Sequence, residues 1–162
     1  MDKTYFKDKV IIITGASSGI GLASARLFGS CGAKVVMAAR HLDKLEAEVP
    51  SVSQNPDNVL CVKTDVSKEE DCKDLIAKTV EKFGRIDILV NNAGISMRAM
   101  FKDLDLSVIK SLMDVNFWGT VYCTKFALPY LLETKGSVVG VISIAGYSAL
   151  PARTGYSSSK YA

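Results

Sequence analysis

Tyr156 and Lys160 have side chains whose types and spacing could move a proton. A phenol has an ordinary pKa of about 10, so it exchanges protons poorly at neutral pH. Residues four apart lie on one face of a helix, and an ammonium beside a phenol favours the phenolate and lowers the phenol pKa. Tyr156 could then give a proton to a carbonyl oxygen or take one from an alcohol. Ser143, thirteen residues before Tyr156, could hold that same oxygen by a hydrogen bond.

A second stretch, near the start of the chain, could hold a diphosphate. Residues 10–13 form an apolar run, Val-Ile-Ile-Ile, that leads through a glycine-rich turn into an amphipathic helix. Such a run is typical of a buried strand in a parallel sheet, and the free N–H groups at the start of the next helix make an anion site. The glycines are spaced G-x-x-x-G-x-G, and the predicted ligand-binding residues are Gly15, Ser17, Ser18, Gly19, Ile20 and Gly21. A glycine turn that binds no ligand is the alternative interpretation.

Arg40 follows the second predicted strand, where dinucleotide-binding folds usually carry an acid that binds the adenosine ribose. This strand ends in Met-Ala-Ala-Arg and has no acid. A guanidinium can clamp a 2′-phosphate with two hydrogen bonds, whereas a carboxylate would repel it. We therefore expect NADP(H) as the cofactor in preference to NAD(H). In the alternative, Arg40 is solvated and Asp43 serves the ribose, although the first turn of the next helix favours the charge of Asp43.

Several motifs together resemble the short-chain dehydrogenase/reductase family. They are Thr-Gly-Ala-Ser-Ser-Gly-Ile-Gly at residues 14–21, Asn-Asn-Ala-Gly at 91–94, and the serine, tyrosine and lysine described above, in that order. The segment 92–119 is most similar to the branch that contains the 11β-hydroxysteroid dehydrogenases. The resemblance implies an oxidoreductase that interconverts a carbonyl and a secondary alcohol by hydride transfer, with Tyr156 as general acid/base. It also implies a small lipophilic carbonyl or alcohol as substrate.

The resemblance implies two further groups of cofactor-binding residues. The family places an aspartate against the adenine amino group with the next backbone amide also in contact, which Asp65 and Val66 match. An aspartate that merely forms a turn is the alternative. The second group is Asn92, Ala93 and Gly94 of the N-N-A-G motif, beside the cofactor ribose. Its main role could equally be structural, because asparagine amides can satisfy backbone groups where the chain leaves the sheet.

Asn116 completes the implied catalytic set of Asn116, Ser143, Tyr156 and Lys160. The family uses an asparagine at this position to hold a water next to the catalytic lysine. A buried asparagine needs hydrogen-bond partners in any case, so an amide that caps a local helix distortion is the alternative. Tyr156 and Lys160 are also predicted to contact the cofactor, Lys160 through the nicotinamide ribose.

Alternating apolar runs and helical stripes predict an α/β fold that would position these residues. Strands are predicted at about 9–14, 34–38, 59–62, 86–90 and 137–143, with Ser143 at the end of the last. The alternation predicts a doubly wound parallel sheet with helices on both faces, a Rossmann fold, in a single domain over residues 1–162. Each motif follows a strand, so all of them would meet at the carboxyl edge of the sheet.

The helices are predicted from stripes of apolar residues at steps of three and four. The expected inward-facing residues are Ile20, Ala23, Leu27 and Cys31 in the first helix, and Val108, Leu112, Val115, Gly119, Tyr122 and Phe126 in a long helix over 106–133. A short helix over 43–49 is expected to end at Pro50. Ser67 and Glu70 have the spacing of a capping box at the start of a third helix, which ends at Gly84.

The composition argues against several other function classes. The chain has 162 residues, a net charge of +3 and no basic block, so a nucleic-acid partner is not expected. The four cysteines form no C-x-x-C pair and there is one histidine, which argues against a metal site or disulfides. Residues 1–6 lack a signal-peptide core, and no apolar run approaches the roughly 20 residues of a membrane span. We predict a cytoplasmic protein with no membrane partner.

The chain ends at Ala162, two residues after Lys160, with five predicted strands where the simplest doubly wound fold has six. We expect that a C-terminal portion, which would carry most of the substrate specificity, is missing from the sequence or from its ordered part. The fifth strand would then have an exposed edge, and the chain would be poorly stable or dependent on oligomerisation. At full length we expect a homodimer or homotetramer.

The sequence leaves three functions to compare. The leading hypothesis is an NADP(H)-dependent oxidoreductase. The second is a non-catalytic dinucleotide-binding module or sensor, which would bind NADPH without turnover. The third is an isomerase or dehydratase on the same scaffold, which would give a product without net redox change of the cofactor.

Overall fold

The computed structural model describes residues 3–162 and contains one five-stranded sheet with helices on both faces. The strands are β1 (Val10–Thr14), β2 (Lys34–Ala39), β3 (Val59–Lys63), β4 (Ile88–Asn91) and β5 (Ser137–Gly140). The helices are α1 (Gly19–Ser30), α2 (Leu42–Val52), α3 (Glu69–Phe83), α4 (Leu106–Met113), α5 (Gly119–Thr134) and α6 (Thr154–Tyr161). Met1 and Asp2, part of the stretch searched for a signal peptide, lie outside the described residues.

The strands are parallel in the order β3-β2-β1-β4-β5. The order reverses between β1 and β4, because the chain crosses from the β3 edge back to the other side of β1. This confirms the predicted doubly wound sheet. Ligands in such sheets bind at the carboxyl ends of the strands that flank the reversal.

Strand β1 lies at the centre of the core, and none of its five residues is more than 2% exposed. Val10 and Ile12 pack in the cluster shared with α3 and α5, whereas Ile11 and Ile13 pack in the cluster shared with α1 and α2. Burial on both faces explains why the strand is a continuous apolar run rather than an alternation. Each fully buried isoleucine contributes about 1.5–3 kcal/mol to folding.

The predicted inner face of α1 is wrong at Ile20, Ala23 and Leu27, whereas Cys31, at the end of the helix, is buried as predicted. Ile20 is 65% exposed and Leu27 is 47% exposed, whereas Leu22 and Ala25 are buried. The helix is turned this way because Gly21 lies against the Gly15 carbonyl, where a Cβ would clash. Close backbone packing at a glycine therefore decided the orientation of α1, and the larger apolar side chains were left near solvent.

Two predicted helix boundaries are also wrong. Helix α2 continues through Pro50 to Val52 instead of ending at the proline. The predicted capping box does not form, because α3 begins at Glu69 with Lys68 at its N-cap and no side-chain capping bond. Gly84 does end α3, with the positive φ of +73° typical of a helix C-terminus.

The predicted long helix is interrupted by a wider π-helical turn, Asp114–Trp118, between α4 and α5. The buried residues along it are Leu112, Asn116, Gly119, Cys123, Ala127 and Leu131. Leu112 and Gly119 of the predicted stripe are buried, whereas Val115, Tyr122 and Phe126 are partly buried against the core. The buried residues near these three lie one position further along the chain, at Asn116, Cys123 and Ala127. No helix within residues 3–162 has the length and apolar character needed to cross a bilayer.

Strand β5 is shorter than predicted, and Ser143 lies beyond it. The strand ends at Gly140, and Ser143 instead precedes a 3₁₀ turn, Ile144–Gly146. All four residues of β5 are exposed, with Val138 at 46% and Val139 at 45%. The predicted exposed edge is thus confirmed within the described chain.

The four cysteines are free, and two of them meet between α3 and α5. The Sγ atoms of Cys72 and Cys123 lie 3.4 Å apart, and both residues are fully buried. The hydrogen bond to Cys72, together with burial, raises the pKa of the Cys123 thiol. Burial likewise raises the pKa of Cys61 on β3 to about 11.

Candidate active site

The glycine turn after β1 lies close against the end of β4. Gly15 has a φ of +67°, and a Cβ built on it would lie 2.8 Å from the Cα of Ala93. A non-glycine residue at position 15 would therefore be strained and would also displace the neighbouring backbone. The close contact explains why the sequence carries glycine where the turn leaves β1.

Asn92 and Thr14 hold the glycine turn to β4 through hydrogen bonds. The Nδ2 group of Asn92 donates to the carbonyl oxygens of Thr14, at 2.8 Å, and Gly15, at 3.2 Å. In return the Oγ1 atom of Thr14 accepts from the backbone N–H groups of Asn92 and Ala93, both at 3.0 Å. These bonds give the N-N-A-G motif the structural role that the sequence left open.

A cleft of about 300 Å³ opens above this junction. It is lined by Gly15, Ser17, Ser18, Ala39, Arg40, Thr64, Asp65, Val66, Asn92, Gly94, Ile95 and Val115. Eight of these were predicted to bind the cofactor, and they come from the ends of β1, β2, β3 and β4. The predicted residues Gly19, Ile20, Gly21 and Ala93 are not among the lining residues, although Gly21 and Ala93 pack directly beneath the turn.

Four lining residues were missed by the sequence analysis. Ala39, Thr64 and Ile95 are chain neighbours of predicted residues, so their position at the strand ends was a usable signal. Val115 could not be found this way, because it lies in the π-helical turn and was assigned to a core-facing stripe.

One end of the cleft is built to accept negative charge. Helix α1 begins beside it with Ser18 at the N-cap, no side-chain capping bond and no acid in its first turn. The first backbone N–H groups of a helix lack helical partners and carry the positive end of its dipole. Ser17 and Ser18 add two hydroxyl groups to the same wall. This arrangement suits a phosphate or diphosphate.

Arg40 lies exposed on another wall of the cleft and forms no ion pair with any described residue. Asp43 lies in the first turn of α2 and is not among the lining residues. The cleft therefore presents a guanidinium at the end of β2, with no carboxylate beside it at that strand end.

Asp65 lines the cleft while forming a turn. Its Oδ1 atom accepts hydrogen bonds from the backbone N–H of Ser67, at 3.1 Å, and from the Ser67 hydroxyl, at 2.7 Å. The Asp65 backbone N–H in turn donates to Oδ2 of Asp71, at 2.9 Å. The turn-forming interpretation of Asp65 is thus correct, and its contact with adenine stays a prediction.

Asn116 joins the end of β4 to helix α6. Its Nδ2 group donates to the carbonyl oxygen of Ile95, at 2.9 Å, and to Oγ of Ser159, at 2.8 Å. Its Oδ1 atom accepts from the N–H of Ile95, also at 2.9 Å. Asn116 lies in the middle of the π-helical turn, so the open interpretation of an amide at a helix distortion is correct. Holding a water for Lys160 stays a prediction.

Lys160 lies next to this junction. A Cβ built on Gly94, a cleft residue, would lie 3.1 Å from Oδ1 of Asn116 and 3.4 Å from Nζ of Lys160. The ammonium group therefore borders the end of the cleft formed by Gly94. It donates one hydrogen bond, of 3.1 Å, to the carbonyl oxygen of Val141.

Tyr156 and Ser143 lie on the same side of the sheet as Lys160. Tyr156 is half-buried on α6, one turn before Lys160, and its carbonyl accepts a hydrogen bond from the Ser159 hydroxyl. The Oγ atom of Ser143 accepts from the N–H of Ala145 at 3.2 Å, so its own O–H remains able to donate. The turn that follows Ser143 packs on Lys160, where a Cβ on Gly146 would meet the Lys160 carbonyl. None of these residues lines the cleft, and of the three only Lys160 has its side chain beside Gly94.

No cluster of metal-ligating side chains occurs in the described part of the chain. The residues present instead fit a dinucleotide. Nothing lies within 4 Å of a Cβ built on Gly19 in the glycine turn, the start of α1 suits a diphosphate, and Arg40 forms no described ion pair at the wall.

Comparison with known proteins gives a consistent result. A family model described as short chain dehydrogenase matches residues 9–162. The 11-beta-hydroxysteroid dehydrogenase 1A of Arabidopsis thaliana is 43% identical over 157 residues, which cover 95% of this chain and 45% of that protein. The chain thus spans about half the length of the curated relatives it matches, and these relatives confirm the predicted branch.

Two solved structures share the fold. An alcohol dehydrogenase from Thermococcus sibiricus, complexed with 5-hydroxy-NADP, has a TM-score of 0.92 at 32% identity, covering 96% of this chain and 66% of that one. A short chain dehydrogenase/reductase from Burkholderia phymatum, in complex with NAD, has a TM-score of 0.90 at 29% identity, covering 96% of this chain and 56% of that one. Nucleotides of both cofactor types are thus bound among its structural neighbours.

Proposed function

The chain belongs to the short-chain dehydrogenase family, and from this premise we propose that the protein is an NADP(H)-dependent oxidoreductase that interconverts a carbonyl and a secondary alcohol. One observation carries the proposal. Gly94 lies in the lining of the nucleotide-sized cleft and also beside the ammonium group of Lys160 and the amide of Asn116. Two of the four proposed catalytic residues, Lys160 and Asn116, therefore adjoin the cleft proposed to bind the nucleotide.

The cofactor would be held mainly by groups at the strand ends. Backbone N–H groups at the start of α1, with Ser17 and Ser18, would bind the diphosphate. Asp65 and Val66 would border the adenine, and the backbone at Asn92–Gly94 would lie beside a ribose. Gly19, Ile20, Gly21 and Ala93 complete the proposed binding set. When bound, the nicotinamide ring supplies the hydride acceptor or donor.

The preference for NADP(H) over NAD(H) rests on Arg40. Its guanidinium is free of described ion-pair partners and stands at the cleft wall after β2. A charge-assisted hydrogen bond to a 2′-phosphate would use this group, and no acid at the end of β2 opposes it. The position of Asp43 in the first turn of α2, outside the cleft lining, supports the same preference.

Tyr156 is proposed as the general acid/base, exchanging a proton with the substrate oxygen. The ammonium of Lys160, one helical turn away, would stabilise the phenolate and bind the nicotinamide ribose. Ser143 would donate its free O–H to the same substrate oxygen, because its Oγ lone pair is already occupied by the N–H of Ala145. Asn116 fixes Ile95 and Ser159, and thereby the stretch of α6 that carries Lys160.

The substrate class, the cellular location and the oligomeric state are also proposals. A small lipophilic carbonyl or alcohol agrees with the relatives named 11-beta-hydroxysteroid dehydrogenase. A single domain over residues 1–162, a cytoplasmic location and a homodimer or homotetramer at full length remain our proposals.

The test is NADPH oxidation by the full-length protein with a panel of apolar ketones. We expect turnover, and we expect Tyr156→Phe to lower kcat by about 100- to 10,000-fold, the range for loss of a general acid/base. Tyr5→Phe is the control, because Tyr5 is 61% exposed and does not line the cleft. Activity that survives Tyr156→Phe would refute the assigned role.

NADPH binding without turnover of any ketone or alcohol would instead support a sensor or binding module. A product formed without net cofactor redox change would point to an isomerase or dehydratase.

A further inference from the structure

Arg153 contacts the proposed acid/base without belonging to the nucleotide cleft. Its guanidinium carbon lies 5.8 Å from the centroid of the Tyr156 ring, within the range of a cation–π contact. Its Nη1 group also donates a 2.7 Å hydrogen bond to Oγ of Ser96. One side chain thus links the tyrosine on α6 to the segment that follows β4.

The position of Arg153 is unfavourable for the helix itself. Arg153 is the N-cap residue of α6 and forms no side-chain capping bond. A positive charge at a helix N-terminus opposes the helix dipole, and arginine is a poor N-cap residue. Stabilisation of α6 therefore does not account for this residue, whereas its contacts with Tyr156 and Ser96 do.

The backbone next to Arg153 is also strained. Ala152 has a φ of +60°, the left-handed region that residues with a Cβ rarely adopt. Its carbonyl accepts a 3.0 Å hydrogen bond from the N–H of Ala99, so the same two segments are joined twice. Strained residues persist where the surrounding structure fixes them, and they cluster at functional sites.

We infer that Arg153 is a positioning residue, which links the ring of Tyr156 to the segment 95–100 and thereby fixes the position of the phenol. This inference rests on the proposed function for its catalytic consequence. The contact itself is independent of that function, because it joins Arg153 to a tyrosine ring and a serine hydroxyl. Neither of these groups lines the nucleotide cleft.

The test compares Arg153→Met, Arg153→Lys and Ser96→Ala in the full-length protein. Methionine keeps apolar contact with the ring but loses the charge and the Ser96 bond, so we expect kcat to fall about 10- to 100-fold, as for a misplaced catalytic group. Arg153→Lys should recover part of that loss, because an ammonium also binds a ring face. The Kd for NADPH should stay within about twofold, because Arg153 does not line the cleft.

The double variant Ser96→Ala/Arg153→Met should be no slower than Arg153→Met alone, since both changes break one linked set of contacts. Arg98→Ala is the matched control, because Arg98 is an exposed arginine in the same segment with no hydrogen-bond or ion-pair partner among the described residues. An unchanged kcat in Arg153→Met, or a loss that follows NADPH affinity, would overturn the inference.

A spectroscopic readout separates this inference from the proposed function. Tyrosine labelled with ¹³C at the ring Cζ gives a signal for Tyr156 that is identified by its loss in Tyr156→Phe. We expect Arg153→Met to shift and broaden this signal and Arg98→Ala to leave it unchanged. Absence of turnover with the shift present would refute only the proposed function, and turnover with no shift would refute only the positioning role.

Discussion

Strands β1 and β5 belong to one sheet, yet their surroundings are opposite. Every residue of β1 is at most 2% exposed, while all four residues of β5 are exposed. The cleft proposed to bind the nucleotide is formed at the β1 side, from turns held by buried strands and by Asn92. Lys160 and Ser143 lie on the β5 side, where Lys160 is held by the carbonyl of Val141 just past the strand. Strand β1, which leads into the cleft, is thus well packed within the described chain, whereas β5, next to Lys160 and Ser143, is exposed there.

Matched truncations in the two strands should give the largest difference. In the 162-residue chain, Ile12→Ala removes a fully buried side chain and should lower the free energy of unfolding by about 2–5 kcal/mol. Val139→Ala, at a site 45% exposed, should change the free energy by about 0.5 kcal/mol or less. Urea denaturation followed by circular dichroism measures both. Equal losses would show that the contrast between the strands is not energetic.

Arg40→Ala should affect NADPH selectively. Loss of a charge-assisted contact with the 2′-phosphate, of about 1.5–3 kcal/mol, should weaken NADPH binding roughly ten- to a hundredfold while NADH binding changes little. Fluorescence titration gives both Kd values. Arg26→Ala is the control, because Arg26 pairs with Glu48 away from the cleft. Equal effects on the two nucleotides would contradict the proposed cofactor preference.

Asn92→Ala should weaken both the fold and the cleft. The carbonyl oxygens of Thr14 and Gly15 would lose their donor, at a cost of about 1–3 kcal/mol in the free energy of unfolding. Affinity for either nucleotide should fall with it, since the glycine turn is no longer held to β4. Asn58→Ala, outside the cleft, is the control for both measurements. A stable variant with unchanged affinity would remove Asn92 from the basis of the cleft.

The smallest effect is expected at Cys61, which is half-buried on the edge strand β3. Burial raises its pKa to about 11, so at pH 8 only about one thiol in a thousand is a thiolate. Alkylation by iodoacetamide should be slow at pH 8 and rise about tenfold per pH unit up to pH 10. Peptide mass spectrometry follows the reaction, and Cys61→Ser identifies the peptide. Rapid labelling at pH 8 would indicate that the β3 edge opens readily.

The sheet and the cleft could be predicted because local signals and tertiary packing agree there. The apolar run of β1 is typical of a strand buried on both faces. The glycine turn after it allows backbone conformations and close contacts that residues with a Cβ do not allow. Arg40 and Asp65 could be placed for the same reason, since a residue directly after a parallel strand lies at the carboxyl edge of the sheet. Eight of the predicted cofactor residues accordingly line one cleft.

The remaining features depend on contacts that periodicity does not encode. The buried face of α1 is set by the packing of Gly21 against the Gly15 carbonyl. The apolar spacing therefore wrongly predicted that Ile20 and Leu27, which are exposed, face the core. Ser143 could not be placed, because β5 ends where pairing with β4 ends and not where the apolar residues end. The contact between Arg153 and Tyr156 depends on a left-handed Ala152, which the sequence gives no reason to expect.

The π-helical turn at Asp114–Trp118 changes the rotation of α5 about the helix axis relative to α4. One residue advances a regular helix by about 100°, so removing one residue from this turn would rotate α5 by that angle relative to α4. Asn116 could then keep its bonds to Ile95 and Ser159, or Cys123 and Ala127 could keep facing α3, but not both. The single extra residue therefore lets one continuous helical segment contribute to the candidate site through Asn116 and to the core through α5.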